Sequence, residues 1–167
     1  CRKGEYQDQN GSTFCKLCEP GKYNDKIGQI ACIPVSAGKY ANSDGIEIDC
    51  SPGQYQDLNG STFCKLCEAG KYNDQKGQTS CKHICPIGTY SFKGSINCQK
   101  CPGGYKGIKS SAISLEDGCI KCHNGTYSND NGGHTTCIKC NKEGYFCPEG
   151  AIKEELCTLD EYCDGKT

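Results

Sequence analysis

Cysteine is the residue type that could do chemistry here. Of the 167 residues, 18 are cysteine, and five C-x-x-C pairs stand at 15/18, 64/67, 98/101, 119/122 and 137/140. Three chemistries use such cysteines. Two clamps together can hold zinc as four thiolates, and Cys98/Cys101 with Cys119/Cys122 has zinc-ribbon spacing. A single C-x-x-C can exchange disulfides, but it needs a thioredoxin-like βαβ setting, and none surrounds these pairs. Cysteine above a tenth of the residues is also the mark of a structural disulfide scaffold.

A repeat decides among the three. Residues 5–32 and 54–81 agree at 21 of 28 positions, at a fixed offset of 49. Inside that stretch lies a smaller unit: Cys, two residues, Gly, one residue, Tyr, a Gly-bearing turn, then Cys fourteen positions after the first. By this register repeat three should run from Val35 to Asp49. Gly38, Tyr40 and Gly45 are in place, and both cysteines are missing together. Cys32 and Cys50 survive although their C-x-x-C neighbours are gone. The chain broke two clamps and kept the partnership of positions fourteen apart, which zinc chelation would not tolerate. The expected bridges are therefore Cys1–Cys15, Cys18–Cys32, Cys50–Cys64, Cys67–Cys81, Cys85–Cys98, Cys101–Cys119 and Cys122–Cys137. The last four cysteines form a different piece, with Cys140–Cys157 and Cys147–Cys163 as the preferred pairing. Cys140–Cys147 with Cys157–Cys163 is the alternative. No metal and no cofactor is expected.

Other reactive side chains are sparse. His83, His123 and His134 are scattered and read as solvated loop residues. Asp8, Asp25, Asp57 and Asp74 recur at one place in four repeats, too far apart for a calcium loop. Turn-side hydrogen bonding accounts for them better. Three sequons stand at Asn10, Asn59 and Asn124, and covalent glycans are expected there. Asn10 and Asn59 fall at equivalent hairpin tips. Catalytic residues: none are expected, and the chain does not read as an enzyme. A disulfide-rich inhibitor would present one distinctive loop, and only the insertion in repeat seven qualifies.

The elements that must position these residues are small. Mean hydropathy is −0.67, so crosslinks must stand in for a sizeable apolar core. The fold expected is small, disulfide-rich and all-β: tandem short β-hairpin repeats stacked into an elongated rod, with little or no helix. Residues such as Gly4–Asp8 and Ser12–Cys15 would pair. Asn10–Gly11 and Asn59–Gly60 signal two-residue turns, because both residues tolerate positive φ. A helix is needed, if anywhere, only near 153–156. The ten tyrosines are all in phase with the repeat. Tyr6, Tyr23, Tyr40, Tyr55, Tyr72, Tyr90, Tyr127, Tyr145 and Tyr162 lie five residues after a repeat start, and Tyr105 four after. They read as repeat-packing pieces. Residues 1–139 make eight tandem repeats, with repeat 35–49 lacking its disulfide, and 140–167 an atypical C-terminal unit.

The pattern C-x-x-G-x-Y…G-x-[ST]-x-C-x-x-C resembles the cysteine-rich repeats of ephrin-receptor-like extracellular proteins, related in style to tumour-necrosis-factor-receptor modules. The resemblance covers residues 1–139, with one degenerate repeat. It implies an extracellular, elongated, non-enzymatic module of a kind used for stalks and scaffolds, including in large protist proteins. It carries over no ligand-contact residue. The missing pair at Val35 and Asp49 departs from the pattern and would mark a flexible joint or an interaction site.

Net charge is −1 with both signs interspersed, which leaves no footprint for nucleic acid, and no apolar run is long enough for membrane insertion by this segment. The disulfide reading places the chain outside the cytosol, secreted or at the cell surface. It opens on Cys1 without an initiator Met, as a piece of a longer secreted precursor would. The expected function is an extracellular, glycosylated structural protein: a subunit or segment of a fibre, hair-like appendage or surface scaffold that self-associates through its repeats. The alternative is the stalk or ligand-binding ectodomain of a cell-surface receptor.

Overall fold

The computed structural model describes residues 1–157. Among them the chain forms nine two-stranded antiparallel sheets, one per repeat, and a single helical turn. Hairpins one to three are β1 (Glu5–Tyr6) with β2 (Lys16–Leu17), β3 (Lys22–Tyr23) with β4 (Ile33–Pro34), and β5 (Lys39–Ala41) with β6 (Glu47–Asp49). Next come β7 (Gln54–Tyr55) with β8 (Lys65–Leu66), β9 (Lys71–Tyr72) with β10 (His83–Ile84), and β11 (Thr89–Tyr90) with β12 (Gln99–Lys100). The last three are β13 (Tyr105–Gly107) with β14 (Cys119–Lys121), β15 (Thr126–Tyr127) with β16 (Ile138–Lys139), and β17 (Tyr145–Phe146) with β18 (Glu155–Leu156). The tandem disulfide-rich hairpin fold is as the repeat predicts.

The strands fall elsewhere than expected. Glu5 pairs with Leu17 and Tyr6 with Lys16, so the second strand is the dipeptide inside C-x-x-C, not Ser12–Cys15. Between the strands lies a long loop rather than a two-residue turn. Gly11 and Gly60 take positive φ, but Asn10 and Asn59 do not, so neither Asn-Gly forms the expected mirror-image turn. The C-x-x-C spacing now has a mechanical reason. The closing cysteine of one repeat and the opening cysteine of the next flank a strand two residues long. Disulfides join Cys1–Cys15, Cys18–Cys32, Cys50–Cys64, Cys67–Cys81, Cys85–Cys98, Cys101–Cys119 and Cys122–Cys137. Closing a loop of about 15 residues contributes roughly 3 kcal/mol by chain entropy. That is large for hairpins that would be marginal alone.

Two compact units divide the chain. The first comprises residues 1–68, 72–83 and 93–96, the second 69–71, 84–92 and, among the described residues, 97–157. The same ladder runs within each. In the first unit, the turn glycine of one repeat donates its N–H to the opening residue of the repeat before: Gly60 to the Val35 carbonyl and Gly77 to that of Cys50, both at 2.8 Å. In the second, Gly133 donates to Cys101 and Gly150 to Cys122, also at 2.8 Å. A second contact skips a repeat. Gly38, at φ +88°, lies against the backbone carbonyl of Gly77 two repeats on, and a Cβ there would overlap it. Gly70 lies in the same way against Ser111, the one non-glycine with positive φ among the described residues (+57°). Ser111 holds the turn-glycine place in repeat seven. The buried apolar residues are mainly opening cysteines, Cys50, Cys67, Cys85, Cys101 and Cys122 among them, with Val35 filling the same place in repeat three.

The helical turn α1 (Leu115–Gly118) lies in the insertion of repeat seven. Ser114 caps it, accepting from the Asp117 N–H. The expected helical stretch near 153–156 instead runs into β18, because Glu155 pairs with Phe146 and Leu156 with Tyr145.

Candidate functional site

The sequon loops are built alike. Between β1 and β2, the Gln7 side chain reaches across the loop and donates to Ser12 Oγ at 2.7 Å and to the Phe14 carbonyl. Its Oε1 accepts from Gln9 N–H at 2.9 Å. Gln56 does the same between β7 and β8, donating to the Phe63 carbonyl at 2.8 Å and accepting from Leu58 N–H. It is 2 % exposed. One glutamine thus shapes the loop that presents Asn10 or Asn59. Both asparagines are exposed, as is Asn124, which stands ahead of β15 rather than in the loop beyond it. The Asn59 Oδ1 accepts from Ala37 N–H at 2.8 Å, which ties this loop to repeat three.

The Asp8 and Asp57 carboxylates each take a local backbone hydrogen bond. They also form cross-hairpin ion pairs, with Lys16 at 2.7 Å and Lys65 at 2.6 Å. Each lysine also approaches a tyrosine face, Tyr6 at 5.8 Å and Tyr55 at 5.9 Å. The hydrogen bond from lysine holds both carboxyls below the usual aspartate value. The same contact raises both lysines.

Repeat three is held without sulfur. Val35 is fully buried. β5 and β6 pair over three residues, Lys39 with Asp49, Tyr40 with Ile48 and Ala41 with Glu47. Lys39 binds the Glu47 carboxylate and reaches Asp49 at 3.6 Å. The Asn42 side chain accepts from both Asp44 and Ile46 N–H, closing the turn. Burial pushes the Tyr23 phenol up, and the Glu47 carboxylate beside it adds to the shift. Asp49, which replaces a cysteine, is now part of the ion-pair network.

The C-terminal piece departs from the expected pairing. Cys140 bonds Cys147, not Cys157. The preferred pairings Cys140–Cys157 and Cys147–Cys163 therefore do not form. Cys157 opens the next register: its N–H donates to the Gly144 carbonyl at 2.9 Å, as Cys18 N–H does to Gly4. By that register the closing position of repeat nine is Glu154. Its carboxylate accepts from Asn141 and Lys142 N–H, at 3.0 and 3.3 Å, beside Cys140. Cys147, 4 % exposed, occupies the place just after the tyrosine strand and is the thiol within reach. Cys157 is disulfide-bonded, while Cys163 and Tyr162 lie outside the described residues.

That same place carries a class of residues that the repeat register did not single out. Asn24, Gln56, Asn73, Ser91 and Ser128 all follow the tyrosine and are buried. Asn24 donates to the Glu5 carbonyl and Asn73 to that of Gln54, each at 2.8 Å, pinning a repeat to the one before. Ser91 and Ser128 donate to Lys71 and Tyr105 carbonyls. The signal was legible as a polar or charged residue after seven of the ten tyrosines.

No family model matches this chain, and no curated protein does.

The nine described tyrosines are half-buried. Each identified ring contact is local: Tyr72 stacks on His83 at 5.0 Å, Tyr90 meets Phe92 edge-on, and Lys142 lies 3.8 Å over Tyr145. His134 bonds the Asn129 side chain, and the three histidines do not meet. Both members of each C-x-x-C at 15/18, 64/67, 98/101, 119/122 and 137/140 belong to different disulfides. Among the described residues no group of three potential ligands is placed to hold a metal ion. No helix there is long and apolar enough to cross a membrane. A shallow open depression lined by Tyr6, Glu19, Lys22, Ala31 and Cys32 is bridged by the Glu19–Lys22 ion pair.

What the surface does offer is repeated aliphatic side chains. Leu17, Ile33, Leu66, Ile84, Ile120, Ile138 and Leu156 are all exposed, each on the second strand of its hairpin. Phe14 and Phe63, just before the closing cysteines, are exposed as well.

Proposed function

We propose that this is an extracellular, glycosylated structural protein, a subunit or segment of a fibre, hair-like appendage or surface scaffold. The observation that carries the reading is the aliphatic residue left exposed on the second strand of seven of the nine hairpins. Exposed apolar residues repeated in phase with the fold favour association with a similarly repeated surface. A second copy of the chain provides one. The short edge strands leave backbone groups that lateral partners can use. The disulfide density supports an oxidising compartment. The resemblance to ephrin-receptor-like repeats supports the same location and a scaffolding role without catalysis.

Negative-stain imaging and sedimentation of the purified, oxidised protein test this. Concentration-dependent polymers that dissolve when Leu17, Ile33 and Leu66 are changed together to Ser are the expected result. Separate particles at every concentration would overturn the polymer and favour the receptor stalk.

A further inference from the structure

Four Asn-Gly dipeptides occur, at Asn10, Asn59, Asn124 and Asn131. In this dipeptide the glycine nitrogen can attack the asparagine Cγ, because no Cβ on the glycine obstructs the approach. The new N–Cγ bond forms as Nδ2 leaves with protons as ammonia, giving a cyclic succinimide. Water then opens one of its two carbonyls, yielding aspartate or isoaspartate. Water is the sole co-reactant, and nothing is oxidised or reduced.

In a folded chain the reaction needs a free glycine nitrogen and a side chain able to turn toward it. At Asn59 both are held. Gly60 N–H donates to the Val35 carbonyl at 2.8 Å, and Asn59 Oδ1 is bound by Ala37 N–H. At Asn124 the nitrogen is held, since Gly125 N–H donates to the Cys147 carbonyl at 2.8 Å. At Asn131 neither is held. Its side chain is exposed. Among the described residues neither that amide nor Gly132 N–H has a hydrogen-bond partner, and only the Asn131 backbone N–H is engaged, by Asn129 Oδ1 at 3.2 Å. Asn131 is also followed by two glycines and is no sequon, so no N-glycan can occupy its Nδ2. Asn10 is open in the same way, with a free Gly11 N–H, but is a glycan acceptor.

We propose that Asn131 is a self-modification site, where the folded protein converts to aspartyl and isoaspartyl forms. The position has a structural consequence within the second compact unit. Gly133 N–H bonds the Cys101 carbonyl, and the Gly133 carbonyl lies where a Cβ on Gly88 would be. An isoaspartyl linkage lengthens the backbone by one methylene just before this turn. It therefore unseats the turn of repeat eight from repeats six and seven.

The test uses oxidised protein from a host that adds no N-glycans, incubated folded at mildly alkaline pH. Peptide mapping with isoaspartyl-specific methylation follows each site. Asn131 should convert about tenfold faster than Asn59 or Asn124, or more, the ratio set by opening one backbone hydrogen bond. After reduction and unfolding the three rates should converge to within a few-fold. Asn131→Gln should remove the fast isoaspartyl signal. Conversion of Asn59 or Asn124 as fast as Asn131 in the folded protein would overturn the proposal. So would an Asn131 that converts only after unfolding.

Discussion

Repeat three offers the sharpest perturbation, because it can be given the bridge its neighbours have. The double substitution Val35→Cys and Asp49→Cys restores both cysteines at the register of the other repeats. Seven bridged repeats hold their Cα atoms 5.4 to 5.8 Å apart, and Asp49 is already paired with Lys39 in the hairpin. A bridge with a sequence separation of 14, as in Cys18–Cys32, contributes about 3 kcal/mol by chain entropy. Two losses oppose it. Exchanging buried valine for the smaller cysteine costs about 1 kcal/mol. Removing the half-exposed Lys39–Asp49 contact costs at most about 1 kcal/mol. The surplus of about 1 to 2 kcal/mol slows local opening roughly tenfold, since each 1.4 kcal/mol is a factor of ten. Native-state hydrogen exchange at the amides of Tyr40 and Ile48, with the bridge verified by mass, reads that change directly. A verified bridge with unchanged exchange would show that repeat three does not open locally, and that sulfur is not what limits its stability.

Two glycine substitutions separate conformational strain from repeat stacking. Gly38→Ala places a Cβ on the Gly77 carbonyl and should lower stability by at least ~2 kcal/mol. Gly28→Ala shares the positive φ but meets open space, so it should cost only about 1 kcal/mol in thermal or denaturant unfolding. Asn73→Ala removes the bond to the Gln54 carbonyl and should cost about 1–2 kcal/mol in denaturant unfolding, with a faster-exchanging Gln56 amide. For pH, Asp8 and Asp57 have folded values below the unfolded one. What their pairs contribute is present above the unfolded aspartate value of 3.8 and is lost as pH falls through the lowered folded value. Carboxyl carbon titration should place both midpoints below 3.8, and Lys16→Met should move that of Asp8 upward, since its largest lowering contact is the lysine.

Much of the covalent architecture was legible because disulfide partners must be lost in pairs. The joint absence of cysteine at Val35 and Asp49 revealed the spacing of the seven bridges before any geometry was known. Strand positions were not legible, since strands of two residues carry no alternation to detect. The Asn-Gly dipeptides signalled a tight turn, but a long loop held by Gln7 or Gln56 needed only the glycine in the left-handed region. Contacts two repeats apart, such as Gly38 with Gly77, leave no trace beyond an in-phase glycine. In the C-terminal piece, Glu154 stands fourteen residues after Cys140, where other repeats carry the closing cysteine, so Cys140 pairs with Cys147 rather than with the expected Cys157. With one copy of that piece there was no second example to expose the change.

Non-reducing peptide mapping of the native protein tests the central claim, that sulfur bridges within each repeat close its hairpin. The account predicts linked peptides Cys1–Cys15 through Cys122–Cys137, a Cys140–Cys147 peptide, and no free thiol. Bridges within the C-x-x-C pairs, or thiolates released by a chelator, would contradict it.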